Sequence, residues 1–193
     1  MTELAVVYSD PNCPFCYATE ERLHARGLDH LVEWRGVQHA PHLPVPMAPA
    51  DLVLSQELPA EVRAIRTRAS EIPIAVPPGK PNTALAIGYG AAALRADTDA
   101  GRRFVRSLYA AFWTAGRDIS DPLVLDALAA ESGLGDLRPD PAAVGVAEGW
   151  QEGWRRTGLG GVPLLVRGDG EVLYGLVDAD ELAAFLATDG PGA

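Results

Sequence analysis

Cysteine is almost absent: 193 residues hold two, Cys13 and Cys16. A secreted scaffold stapled by disulfides needs more of them, which excludes that class. Cationic residues are also scarce. Sixteen Lys and Arg stand against 26 Asp and Glu, for a formal charge of −10. Non-specific binding to nucleic acid or to an anionic membrane needs a cationic surface, so neither partner is expected. No apolar stretch approaches the roughly 20 residues of a membrane-spanning helix. The start carries Glu3, and its apolar run stops at Tyr8, unlike a secretory signal. The expected setting is cytoplasmic and reducing. No nucleophile elbow, P-loop or HExxH motif occurs. Hydrophobic residues at 48% and charged residues at 22% describe an ordinary packed globule and argue against disorder.

Patterning divides the chain. Residues 4–9 form a nearly continuous apolar run with two valines and a tyrosine, which suits a buried strand. Pro11 and Asn12 make a turn. Pro14 fits the first turn of a helix running to about Arg26, with Gly27 as its stop. Residues 30–38 read as a second strand, so a parallel βαβ start is expected. A proline-rich crossing over 40–49 cannot be regular helix or central strand. Helical spacing then dominates. Leu58, Val62, Ile65, Ala69 and Ile72 form one stripe, and Leu85, Tyr89, Ala92 and Ala96 another. Phe104, Leu108, Ala111, Phe112 and Ala115 form a third, with caps expected at Asn82-Thr83, Asp121-Pro122 and Asp140-Pro141. Two β runs around Gly168-Asp169-Gly170 read as a hairpin. Asp178 then caps a last helix that turns Leu182, Phe185 and Leu186 inward. The tail after residue 187 reads as frayed. The fold class is α/β, in the order β-α-β … β-β-α, with a large α-helical insertion. Residues 1–39 and 162–193 make the outer domain, and 40–161 the insertion.

One motif carries chemistry. Cys13-Pro14-Phe15-Cys16 lies directly after a strand, at the start of a helix. At a first β-to-α junction, C-x-x-C reads as a redox motif. Free N–H groups and the macrodipole at a helix N-terminus stabilise an anion, and the thiolate is the nucleophile. The i, i+3 spacing lets Cys16 reach back to resolve a mixed disulfide. Cys13 is expected to be the exposed attacking residue and Cys16 the more buried one.

The string Ser9-Asp10-Pro11-Asn12-Cys13-Pro14-Phe15-Cys16-Tyr17 resembles the DsbA-like thioredoxin superfamily, nearest its cytoplasmic FrnE-type branch. Pro81-Asn82-Thr83, Gly116-Arg117-Asp118-Ile119-Ser120 and Gly161-Val162-Pro163 resemble its secondary motifs. The resemblance implies a thioredoxin-like fold with a helical insertion after the second strand, and a thiol–disulfide oxidoreductase that exchanges its dithiol with protein or small-molecule disulfides. A thiol electron donor or acceptor is its other partner, and neither cofactor nor metal is implied. It also implies a cis Val162–Pro163 bond facing the cysteines, with Val162 main chain pairing to an extended substrate. Secreted members of the family carry His between the cysteines. Phe15 cannot lend that positive charge, so a less acidic Cys13 and a less oxidising pair are expected.

Other readings stand beside this one. A glutathione-dependent isomerase or kappa-class transferase would share the scaffold, but such relatives generally place serine at position 13. His39 and His42 could complete a Cys₂His₂ zinc site, although the gap from Cys16 is long. Either histidine could instead border a substrate groove. Trp150 and Trp154 read as core of the insertion. Arg63, Arg66 and Arg68, with Arg102, Arg103 and Arg106, read as solvated helix faces. Residues 158–161 lack the dinucleotide fingerprint and read as a flexible approach to Pro163.

Overall fold

The computed structural model describes residues 4–187; the tail read as frayed lies outside them. The first apolar run forms strand β1 (Ala5–Ser9), and helix α1 (Pro14–Ala25) begins directly after Cys13. Pro14 stands in the first turn, where no N–H is needed. Beyond α1, Gly27 takes φ 64°, a left-handed conformation open to a residue without Cβ. Strand β2 (Val32–Gly36) is shorter than the expected 30–38, because Asp29–Leu31 forms one turn of 3-10 helix.

Five helices follow: α2 (Leu54–Arg68), α3 (Ala84–Ala96), α4 (Thr98–Ala115), α5 (Pro122–Glu131) and α6 (Pro141–Arg156). Asp121 and Asp140 cap α5 and α6 by accepting the N–H groups of Leu123 and Ala143. At α3 the cap residue Thr83 makes no side-chain bond; Asn82 Oδ1 accepts the Ala84 N–H instead. The hairpin is β3 (Leu164–Val166) with β4 (Val172–Tyr174), and α7 (Ala179–Ala187) closes the described chain. Asp178 Oδ1 accepts the N–H groups of Asp180 and Glu181.

The four strands form one sheet in the order β2-β1-β3-β4. Central β1 runs parallel to β2, with Val7 opposite Trp34, and antiparallel to β3, with Val7 opposite Leu165. The parallel pair requires the α1 crossover, whereas β3 and β4 need only a turn. The chain therefore leaves the middle of the sheet at Ser9 and enters α1 at Cys13.

Helix α3 departs from its expected stripe. Leu85 and Ala96 are exposed, whereas residues 86–93 are all buried. The helix lies against α4, α5, α6 and β2 at once, so burial goes round it and no single face is apolar. Small residues permit such enclosure. A Cβ on Gly101 of α4 would fall 2.7 Å from the Leu94 backbone, and one on Gly90 would fall 2.8 Å from the Trp34 ring. Ala115, expected on the buried face of α4, is exposed at the helix end. Val7, Trp34 and Leu164 from the sheet share one hydrophobic cluster with Phe104, Leu108 and Phe112 from α4. Buried Arg22 of α1 ties in further segments, donating to Glu71 Oε1 at 2.9 Å, to the Arg68 carbonyl at 2.8 Å and to the Val177 carbonyl.

Candidate active site

The turn over residues 10–16 is held from several directions. Cys13 N–H donates to the Asp10 carbonyl at 2.9 Å. The Asp10 carboxylate is fully buried and accepts three hydrogen bonds. These come from Asn12 N–H at 3.2 Å, His39 N–H at 2.9 Å and His39 Nδ1 at 2.7 Å. Asn12 Nδ2 donates to the Pro81 carbonyl at 2.9 Å, and Trp113 Nε1 to the Pro11 carbonyl at 3.0 Å. Loop and helix residues far away in sequence thus fix the turn that presents both sulfurs.

Cys13 caps α1 with extended backbone, φ −101° and ψ 121°, and makes no side-chain cap bond. Both cysteines are free thiols. Cys16 is 0% exposed, and Cys13, expected to be exposed, is only 5% exposed. The cover comes from the far end of the chain: Cys13 Sγ donates to the Val162 carbonyl at 3.8 Å. Cys16 Sγ accepts the Asp10 N–H at 3.4 Å.

The two thiols are pushed in opposite directions. Cys13 falls below the ordinary thiol range, chiefly because Cys16 donates its S–H to it; burial opposes, and the Cys16 N–H and the His39 charge assist. Asp10, an anion nearby, works the other way. Burial raises Cys16 well above the range, and its bond to Cys13 and the charge there raise it further. Burial draws His39 down, but the Asp10 carboxylate and the Cys13 anion outweigh it, and the imidazole ends above its usual value. His39 therefore brings to Cys13 a positive charge that Phe15 cannot supply.

A second row lies behind Cys16. Trp34 Nε1, which can only donate, gives its proton to Tyr109 Oη at 3.1 Å. That leaves the Tyr109 O–H for Ser9 Oγ, 2.5 Å away. Ser9 in turn keeps its proton for Cys16, which it stabilises as an anion. The chain of donors thus runs toward the sulfur, from β2 through α4 to the end of β1.

The Val162–Pro163 peptide bond is cis, as is Val45–Pro46 in the proline-rich crossing. Trp154 is half-buried and not fully in the core; its indole donates to the Gly161 carbonyl at 3.2 Å and holds the approach to Val162. Gly161 leaves room for Tyr174, whose hydroxyl would lie 1.8 Å from a Cβ placed there. The Pro163 carbonyl accepts the Gly175 N–H at 2.9 Å. Phe15 is half-buried, with the Arg68 guanidinium 5.9 Å from its ring centroid. Exposed His42 borders a separate cleft of about 410 Å³ with Pro44, Pro49 and Lys80. Among the described residues no three His, Cys, Asp or Glu side chains are placed to hold a metal.

The geometry brings Cys13, Cys16, Pro14 and Val162 together, with Phe15 at the side. The sequence places Ser9 and Asp10 in the family-like string without a role for either, gives no sign of Tyr109, and leaves His39 between a zinc ligand and a groove residue. The only local signal was Asp10 itself, an acid at the end of an apolar strand. No helix among the described residues is long and apolar enough to cross a membrane.

Known proteins can be set beside this arrangement. The model of the DSBA-like thioredoxin domain matches residues 5–187. No curated protein matches. A candidate protein disulfide isomerase from Nitrosomonas europaea superposes with a TM-score of 0.78 at 14% identity, covering 96% of each chain. The cytosolic disulfide reductase DsbM from Pseudomonas aeruginosa, solved with glutathione, gives 0.72 at 22%, covering 95% of this chain and 96% of that one. A 2-hydroxychromene-2-carboxylate isomerase gives 0.69 at 18%, covering 94% and 92%. These likenesses extend the thioredoxin-like fold across the whole architecture, and the family match shows that the chain belongs to the DSBA-like thioredoxin domain family.

Proposed function

We propose that this chain is a thiol–disulfide oxidoreductase in which Cys13 attacks and Cys16 resolves. Members of its family are thiol–disulfide oxidoreductases or isomerases. The observation that carries the assignment is the pair of free thiols one helical turn apart, one made acidic and the other kept protonated. Cys13 thiolate attacks a sulfur of the substrate disulfide, and the other substrate sulfur leaves as a thiolate. Cys16 then loses its proton and attacks Cys13, releasing the second substrate thiol. Two electrons pass to the substrate, and a Cys13–Cys16 disulfide remains. Two equivalents of an external thiol restore the dithiol, and the same steps reversed oxidise a substrate.

Pro14 shapes the helix start, while Val162 and Pro163 form the platform beside Cys13. The Val162 carbonyl that meets Sγ in the resting protein is exchanged for an extended substrate segment. Residues 40–161 are read as an insertion into a thioredoxin-like domain of 1–39 and 162–193, of the FrnE type. The reductant is a small thiol in a cytoplasmic setting, a reading supported by the glutathione in the DsbM structure.

Insulin reduction driven by dithiothreitol tests the assignment. The wild type should accelerate precipitation and Cys13→Ser should not; equal rates would sink it. Saturable glutathione binding without thiol exchange would select a glutathione-dependent isomerase instead, a reading for which the likeness to the chromene-carboxylate isomerase speaks.

A further inference from the structure

Away from the cysteines, α1, β2, α3, α4 and α6 contribute to a cavity of about 870 Å³, a volume suited to a small ligand. None of its lining residues belongs to the 10–16 turn or to the Val162–Pro163 segment. Trp34, Leu94, Val105, Val146 and Trp150 give it apolar and aromatic walls. Glu20 also lines it, and the Glu20 Oε1 is buried with no hydrogen-bond partner. A buried carboxyl oxygen without a donor is costly, and the cavity is where a donor can arrive.

Most other charges of the lining have a partner. Arg95 faces Asp140, Arg102 faces Asp99, and Arg106 grips both oxygens of Glu21. Arg103 donates to the Ser132 carbonyl. Asp29 has His24, and Glu33 has Arg35. Two lining acids stay without a cation or donor among the described residues, Glu20 within and exposed Glu131. The buried group left open is the Glu20 carboxyl, and a cation is the partner that lets it ionise in place. The buried oxygen needs an N–H, which selects a primary amine over a quaternary one. Tryptophan faces attract cations as well.

We propose that this cavity binds a small aromatic primary amine, its ammonium group on Glu20 and its apolar body against Trp34 and Trp150. The site is independent of the thiol chemistry and stands or falls apart from it.

Phenethylamine is the probe, titrated into the labelled full chain and followed by NMR of the four indole N–H signals. Trp34 and Trp150 line the cavity, whereas Trp113 and Trp154 are bonded to the Pro11 and Gly161 carbonyls outside it. Saturable shifts confined to the first two are expected. Burial, with Asp29 and Glu21 nearby, raises Glu20 to about 8, so amine binding at neutral pH should release close to one proton. Calorimetry in two buffers of different ionisation heat reads that release. Phenethyl alcohol and phenyltrimethylammonium should each bind about tenfold more weakly or worse, as should phenethylamine to Glu20→Gln. Retained signal dispersion in Glu20→Gln shows that the variant is folded. The proposal is overturned by still indole signals at about 10 mM amine, by equal movement of all four, by equal affinity for the alcohol, or by undiminished binding to Glu20→Gln.

Discussion

Replacing His39 by glutamine isolates the electrostatics of the attacking thiol. His39 is anchored to one oxygen of buried Asp10 through its N–H at 2.9 Å and its Nδ1 at 2.7 Å. Glutamine keeps the main-chain bond and offers a side-chain amide, but it carries no charge. Two opposite influences act on Cys13: the imidazole lowers it and the Asp10 carboxylate raises it. The substitution removes the first and leaves the second unopposed. A neighbouring opposite charge moves a pKa by about 1–3 units. The His39 side chain keeps 27% of its surface in solvent, so screening places the effect near the lower end. One unit is about 1.4 kcal/mol, or about a tenfold loss of thiolate wherever pH lies below the pKa.

The assay is the pH dependence of iodoacetamide alkylation at Cys13, quantified by peptide mass spectrometry. The midpoint of His39→Gln should rise by about one unit, and the rate at neutral pH should fall by up to about tenfold. Asp10→Asn should move the midpoint less, because it removes the repulsion on Cys13 while weakening the imidazole charge. An unchanged midpoint in His39→Gln, within about 0.3 unit, would refute the role given to the histidine.

Four further outcomes follow from the same contacts. Cys16→Ser should accumulate a stable mixed disulfide between Cys13 and substrate, seen on non-reducing gels, and rapid turnover in that variant would contradict the resolving role. Ser9→Ala removes a donor that lowers Cys16, so the mixed disulfide of the otherwise wild-type chain should live longer in quenched-flow trapping. Gly101→Ala would push a Cβ to 2.7 Å from the Leu94 backbone, and urea melts should show a loss of about 1–3 kcal/mol. Glu20, at about 8 in the fold, holds its proton more tightly there than unfolded, so stability falls as pH rises from its unfolded value of about 4.3 toward 8. Glu20→Gln should flatten that fall and be the more stable form near its top, by about 2 kcal/mol after allowing for partial exposure.

Local chemistry made much of the fold legible. Pro14 after Cys13, Gly27 at φ 64°, and the Asp-Pro pairs at 121 and 140 each fix an element end within a few residues. Helix α3 resisted because glycine and alanine pack on every side and leave no stripe to read. The cysteine motif was visible, but its surroundings were not. Asp10 and His39 are 29 residues apart, Ser9 and Tyr109 are 100 apart, and Cys13 and Val162 are 149 apart. Phe15 carries no charge, and the charge at Cys13 comes from His39, on a loop that only the fold brings near.

That separation bears on what the helical segment is for. Trp113 of α4 bonds the Pro11 carbonyl, Tyr109 of the same helix bonds Ser9, and Pro81 ahead of α3 receives Asn12. From α6, Trp154 bonds Gly161 beside Val162. Each of these bonds ends within one or two residues of Cys13, Val162, or the strand end that leads into the motif. A strand, a turn and a helix alone would place two cysteines one turn apart without fixing the acceptors and charges around them. The charges and donors that displace the two thiols belong to residues 9–39, and the helical segment holds the turn that carries them. Loosening α4 at a position such as Gly101, far from either sulfur, should alter the thiol chemistry along with the stability.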